Sequence, residues 1–147
     1  MLKTSSLAAL LLLGTLGCSA SGTDARQQSS QLAETPFELG ESSLSRGDQL
    51  KILSVRTDTG DFSVGTQLEV RGTYELSSAE SANLYLGTTA TTSVGGRSEI
   101  APEQTCVVDQ GSGSFVLATK IPWEGNPHIS FYRLSSGGSL GGVYFGN

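Results

Sequence analysis

Gln67-Leu-Glu-Val-Arg-Gly-Thr-Tyr-Glu-Leu76 is the stretch that decides the fold class. Leu68, Val70, Tyr74 and Leu76 alternate with Gln67, Glu69, Arg71, Thr73 and Glu75. A period of two buries one face of a strand and leaves the other wet. Gly72 falls on the apolar face, where a missing side chain marks a bulge or the close approach of a neighbouring strand.

The same pattern extends outward in both directions. Before it, Leu50-Lys-Ile-Leu-Ser-Val-Arg56 reads as a strand and Thr57-Asp-Thr-Gly-Asp61 as a turn. After it come Ala82-Asn-Leu-Tyr-Leu-Gly87, Gln104-Thr-Cys-Val-Val-Asp109, Ser114-Phe-Val-Leu-Ala-Thr-Lys-Ile121, His128-Ile-Ser-Phe-Tyr-Arg-Leu134 and Leu140-Gly-Gly-Val-Tyr-Phe145. Gly-rich or Pro-containing separators divide them, notably Gln110-Gly-Ser-Gly113 and Ser135-Ser-Gly-Gly-Ser139. About seven short strands at this spacing predict an all-β domain, an antiparallel β-sandwich or a small barrel. No stretch beyond Gly47 carries a period of 3.6, so a doubly wound fold is excluded. Gly47-Asp-Gln-Leu-Lys-Ile-Leu53 and Val64-Gly-Thr-Gln-Leu-Glu-Val-Arg-Gly-Thr-Tyr74 together are similar to the opening strands of immunoglobulin-like extracellular modules. That resemblance implies a sandwich and carries no function.

The N-terminus has the build of an export signal. Lys3 supplies a positive start, and residues 7–16 form an apolar run of ten residues interrupted only by Gly14 and Thr15. A membrane-spanning helix needs about 20 such residues, so this segment reads as a signal peptide. Leu16-Gly17-Cys18-Ser19 follows directly and resembles the lipobox of bacterial lipoproteins. The family places Leu three residues before the cysteine and a small residue two before it, where this chain has Thr15 and Leu16. The resemblance implies cleavage before Cys18 and acylation of its sulfur, which anchors the protein in the cell envelope. In a Gram-negative host Ser19 then implies the outer membrane. The alternative is ordinary cleavage after Ala20, which discards Cys18 and leaves a secreted or periplasmic protein.

Three regions result: a signal peptide over residues 1–17, a lipidated N-terminus and flexible tether over 18–45, and a β domain over 46–147. The tether is assigned on its Ser, Gln, Thr, Glu and Gly content. A strand through Phe37-Glu-Leu39 is the competing reading of its end, because the two apolar residues share a face at strand spacing.

Composition narrows the function. Nine Lys and Arg against fourteen Asp and Glu give a net charge of −5, which offers no footprint for nucleic acid. One histidine and two cysteines fall short of a zinc ligand set. Asp58 and Asp61 lack the ordered ligand series of a calcium loop and read as turn chemistry. Gly137-Gly-Ser-Leu-Gly141 matches the string of the hydrolase nucleophile elbow, but that motif needs a helix and a later histidine, and His128 precedes Ser139. A hairpin turn is the reading adopted, with His128 on the exposed face of its strand and Cys106 a buried thiol. A bridge from Cys106 to Cys18 becomes possible where Cys18 escapes acylation.

No catalytic residue, metal site or cofactor is assigned. The candidate binding residues are Trp123, Glu124 and Asn126, in a Pro-bounded loop, with Arg97 in the long loop before Pro102. These point to a non-enzymatic binding or structural module with an envelope protein or a glycan as partner. Hydrolase chemistry is the distant alternative.

Overall fold

The computed structural model describes residues 17–19, 31–93 and 99–147. The signal peptide up to residue 16, most of the N-terminal half of the tether and Arg97 therefore lie outside the described residues. Eight strands follow in order: β1 (Gly17–Ser19), β2 (Ala33–Glu34), β3 (Glu38–Leu44), β4 (Gln49–Thr57), β5 (Gln67–Ala90), β6 (Thr105–Lys120), β7 (Gly125–Arg133) and β8 (Ser139–Gly146). A 3₁₀ turn at Pro102–Gln104 leads into β6. All eight strands belong to one sheet, in which β1 runs parallel to β6 and every other pairing is antiparallel. The sheet curls into a half-barrel. The chain is all-β, as the alternation predicts.

The division into strands differs from expectation because two separators are not separators. The segments at 67–76 and 82–87 are one strand of 24 residues, and those at 104–109 and 114–121 are one of 16. Bends let each long strand serve both ends of the sheet. Along β5 and β6, Leu76 pairs with Gly111 but Ser81 pairs with Asp109, so residues 77–80 stand opposite Gln110 alone. Extra residues on one strand sharpen its bend and twist. Asp48 holds the bend from outside: one carboxylate oxygen accepts the Ser77 and Ser78 amides at 2.8 and 2.9 Å, and the other accepts the Ser78 hydroxyl at 2.6 Å.

On β6 the apolar face changes parity between Val108 and Phe115, and the change is made at Gly111, whose φ of 117° favours glycine. A second parity change occurs on β4. Ile52 pairs with Gly72 and Ser54 with Arg71, so Leu53 is the extra residue of a bulge. Ile52 and Val55 therefore both face inward while Leu53 stays exposed. Both meanings proposed for Gly72 hold: the bulge is opposite, and the Phe115 ring and the Lys51 carbonyl lie where a Cβ would stand.

The concave face is filled by one cluster that includes Val55, Leu68, Val70, Leu84, Leu86, Phe115, Leu117, Ile129 and Phe131, all at 1% exposure or less. At about 25 cal/mol per Å² of apolar surface removed from water, this cluster is the main source of stability. Cys106 packs against it and is disulfide-bonded, which corrects the expectation of a free thiol.

The tether assignment also needs correction. β2 pairs with β4 and β3 with β8, so the sheet begins before Gly47 and the strand reading of Phe37-Glu-Leu39 is the one that holds. Phe37 meets Phe145 edge to face at 6.3 Å between ring centres. Thr35 is buried, and its hydroxyl and that of Thr57 lie 2.8 Å apart. Sparse anchors of this kind suffice because β8 supplies the backbone partner. β3 itself is exposed almost throughout and carries Glu38 and Glu41, the kind of charged edge that discourages further strand pairing.

Candidate functional site

Side chains that alternate with the core on β5, β7 and β8 form the convex face at one end of the sheet. The register places Gly87 beside His128 and His128 beside Tyr144, with Tyr85 opposite Ser130 and Asn83 opposite Tyr132. An aromatic row results. Tyr132 and Tyr85 are 6.0 Å apart, Tyr85 and His128 6.0 Å, and His128 and Tyr144 5.2 Å between ring centres. The Tyr85 ring lies over Gly87, since a Cβ there would meet it. Residues without side chains thus seat rings close to the backbone.

His128 is buried, at 8% exposure, and not exposed as its strand parity alone predicts. Rings on two sides cover it. Its Nδ1 lies 3.4 Å from the Thr89 hydroxyl, which in turn is 3.1 Å from the Tyr144 hydroxyl. Burial pushes the imidazole below its ordinary pKa, against a smaller opposing effect of a hydrogen bond with the Asn126 backbone. Burial likewise raises the Tyr85 phenol, with Tyr132 adding to it.

A stability prediction follows from His128. The folded protein favours the neutral ring, whereas the unfolded chain takes up a proton near pH 6.5. Stability from this group is therefore complete above about pH 6.5 and declines as pH falls from there toward the lowered folded value. Thermal denaturation in steps from pH 7.5 to 5.5 is expected to show a falling midpoint, and His128→Gln is expected to flatten that slope.

At the end of the aromatic row a cleft of about 470 Å³ opens between β3 and the ends of β5 and β8. Glu38, Glu41, Thr89, Asn126 and Tyr144 line it, and its floor runs along Phe145 to Asn147. Clefts of about 300–1,000 Å³ are the usual size for small-molecule sites.

Of the described residues expected to bind, Asn126 alone lines this cleft. Trp123 is half-buried and its ring nitrogen donates to the Thr88 carbonyl at 3.0 Å, which pins the loop to β5. Glu124 is exposed, and its carbonyl accepts the Thr91 amide at 3.1 Å. The residues missed are Glu38, Glu41, Thr89 and Tyr144. All four belong to strands whose pairing brings distant sequence together, so no local pattern marks them.

The other candidates resolve into local structure. Asp61 accepts the Ser63 hydroxyl at 2.6 Å, the Ser63 amide at 3.0 Å and the Thr59 hydroxyl at 2.9 Å, which hold its pKa at about 2. Asp58 accepts the Gln67 amide at 2.9 Å. These two carboxylates tie their own turn. Ser139 opens β8 and its hydroxyl accepts the Gly141 amide at 3.0 Å, within the hairpin that joins β7 to β8.

No protein-family model, curated protein or solved structure matches the chain.

Proposed function

We propose that this chain is an envelope lipoprotein, anchored through Cys18, that displays its β domain as a non-enzymatic binding module. The anchor rests on Leu16-Gly17-Cys18 at the end of a short apolar run. Several acyl chains, at about 0.8 kcal/mol per buried methylene, hold such a protein on a membrane without further help. The binding role rests on one observation, the polar cleft walled by Glu38, Glu41, Asn126 and Tyr144. Export, with or without acylation, suits the disulfide at Cys106, because such bonds persist in oxidising compartments.

That disulfide favours a second reading. The sequence has only two cysteines, and one sulfur cannot hold both a lipid and a bridge. A bridge within one chain therefore implies an exported protein that is not acylated and remains soluble, acting as an inhibitor or adhesin-like interaction protein.

Labelling cells with a radioactive fatty acid separates the two. The lipoprotein reading expects label in the wild-type protein, none in Cys18→Ala, and a mature N-terminus at Cys18. Unlabelled protein whose peptide map contains a bridge between Cys18 and Cys106 decides for the soluble form.

A further inference from the structure

The cleft beside Tyr144 carries a more specific chemistry. On β3 and β8, Leu39 pairs with Phe145 and Ser42 with Val143, so Gly40 and Glu41 stand together opposite the single residue Tyr144. This is a bulge, and bulges re-aim side chains near sites. In unbroken alternation Glu38 and Glu41 would point to opposite faces of β3. The extra residue brings both to the side of Tyr144, where both line the cleft. A Cβ at Gly40 would stand 3.2 Å from that of Tyr144, so the backbone of β3 passes close to the base of the Tyr144 side chain.

The lining contains no Lys, Arg or other cationic side chain to neutralise these two carboxylates. Arg56 and Arg71, the arginines whose ion pairs are described, engage Glu34 and Glu69 instead. An aromatic side chain that lines the same cleft as two acids outside any described ion pair favours a positively charged group, through charge and through the ring. The remaining lining groups, the Thr89 hydroxyl, the Tyr144 hydroxyl and the Asn126 amide, suit a ligand with several hydroxyls. Among the described residues the same inventory disfavours an anionic ligand.

We propose that the cleft binds a sugar unit carrying a free amine, its ammonium held between Glu38 and Glu41 over Tyr144 and its hydroxyls by Asn126 and Thr89. This assignment rests on the binding-module reading and names its ligand class.

The test is calorimetric titration of the protein, as processed and purified from its host, with D-glucosamine, N-acetylglucosamine and glucose. D-Glucosamine is expected to bind at least tenfold more tightly than the other two. The double variant E38Q/E41Q is expected to lose at least tenfold of that affinity while keeping its thermal midpoint, since both residues are exposed on an edge strand. High salt is expected to weaken the wild-type binding. Equal binding of the acetylated sugar, or binding unchanged in E38Q/E41Q, overturns the ammonium assignment and leaves the binding module standing. If all three sugars fail to bind at millimolar concentration, the amino-sugar assignment falls. If in addition no line broadening or shift occurs at Tyr144 with envelope glycan fragments, the binding module falls with it.

Discussion

Gly141→Ala is expected to destabilise the protein by about 2–5 kcal/mol, a large share of the roughly 5–15 kcal/mol that holds a domain folded. Two costs add at this position. Its φ is 105°, a conformation that charges an L side chain about 1–2 kcal/mol. A Cβ there would also fall on the Ser43 carbonyl oxygen and within 2.7 Å of the Leu44 Cα, where β3 is paired to β8. Overpacking of that kind costs about 1–3 kcal/mol, because the backbone of β3 must move. Gly137 provides the control. It belongs to the same Gly-x-Ser-x-Gly string and has a φ of 66°, but a Cβ there meets nothing within 4 Å. Gly137→Ala is expected to cost only the conformational part, about 1–2 kcal/mol. Urea midpoints of the two variants measure the difference. Equal losses would mean that β3 does not lie against β8 as described.

The contrast also shows what the sequence could say about this string. The glycines that mimic a nucleophile elbow are needed for a hairpin turn and for the close passage of an edge strand. The turn was legible, because Ser135-Ser-Gly-Gly-Ser139 separates two alternating segments. The close passage was not, because Ser43 and Leu44 lie almost a hundred residues earlier in the chain. The same distinction runs through the rest of the fold. Alternation marked the core faces of β5, β7 and β8, since a half-wet strand writes its orientation into every second residue. It failed where a bulge changes the parity. Leu53 on β4 reads as part of an apolar strand and is exposed, and Gly111 on β6 reads as a turn and is a bend inside one strand. Ser77–Glu80 is polar for the same reason that loops are polar, yet it remains in the sheet because Asp48 satisfies its amides from outside.

At the site, Asn126 was legible as a polar residue in a Pro-bounded loop, and Trp123 was chosen on the same grounds. The difference between them is set by β7: its register carries Asn126 beside Thr89 on the cleft side, whereas the Trp123 nitrogen is taken by a backbone carbonyl. Glu38 and Glu41 looked like part of a polar spacer. Only their pairing with β8 turns two surface acids into the wall of a cleft, and that pairing depends on Phe37 and Leu44 packing against the core. Phe37 and Leu44, with Leu39 the one apolar residue among the six between them, give too weak a signal for a strand to be read with its register.

Phe115→Ala is expected to cost about 3–5 kcal/mol, as large aromatic truncations in a core do. Phe115 is 1% exposed and pairs across the sheet with Gly72. Its ring covers the glycine so closely that a Cβ on Gly72 would stand 2.5 Å from the ring's outermost carbon. The space vacated by the ring lies between two bonded strands, β4 and β6, on either side of β5, and these cannot close over it without breaking their ladders. The cavity therefore stays open and its cost is near the upper end of the range. Gly72→Ala alone is also expected to destabilise, through the ring and through the Lys51 carbonyl. Combining the two separates these causes. The double variant removes the clash with the ring and keeps the clash with the carbonyl, so its loss should be smaller than the sum of the single losses by about 0.5–3 kcal/mol, yet larger than that of Phe115→Ala alone. Strict additivity would show that ring and glycine do not touch, and full rescue to the level of Phe115→Ala would show that β4 can yield at its bulge. Urea denaturation of the four proteins, wild type included, closes the cycle.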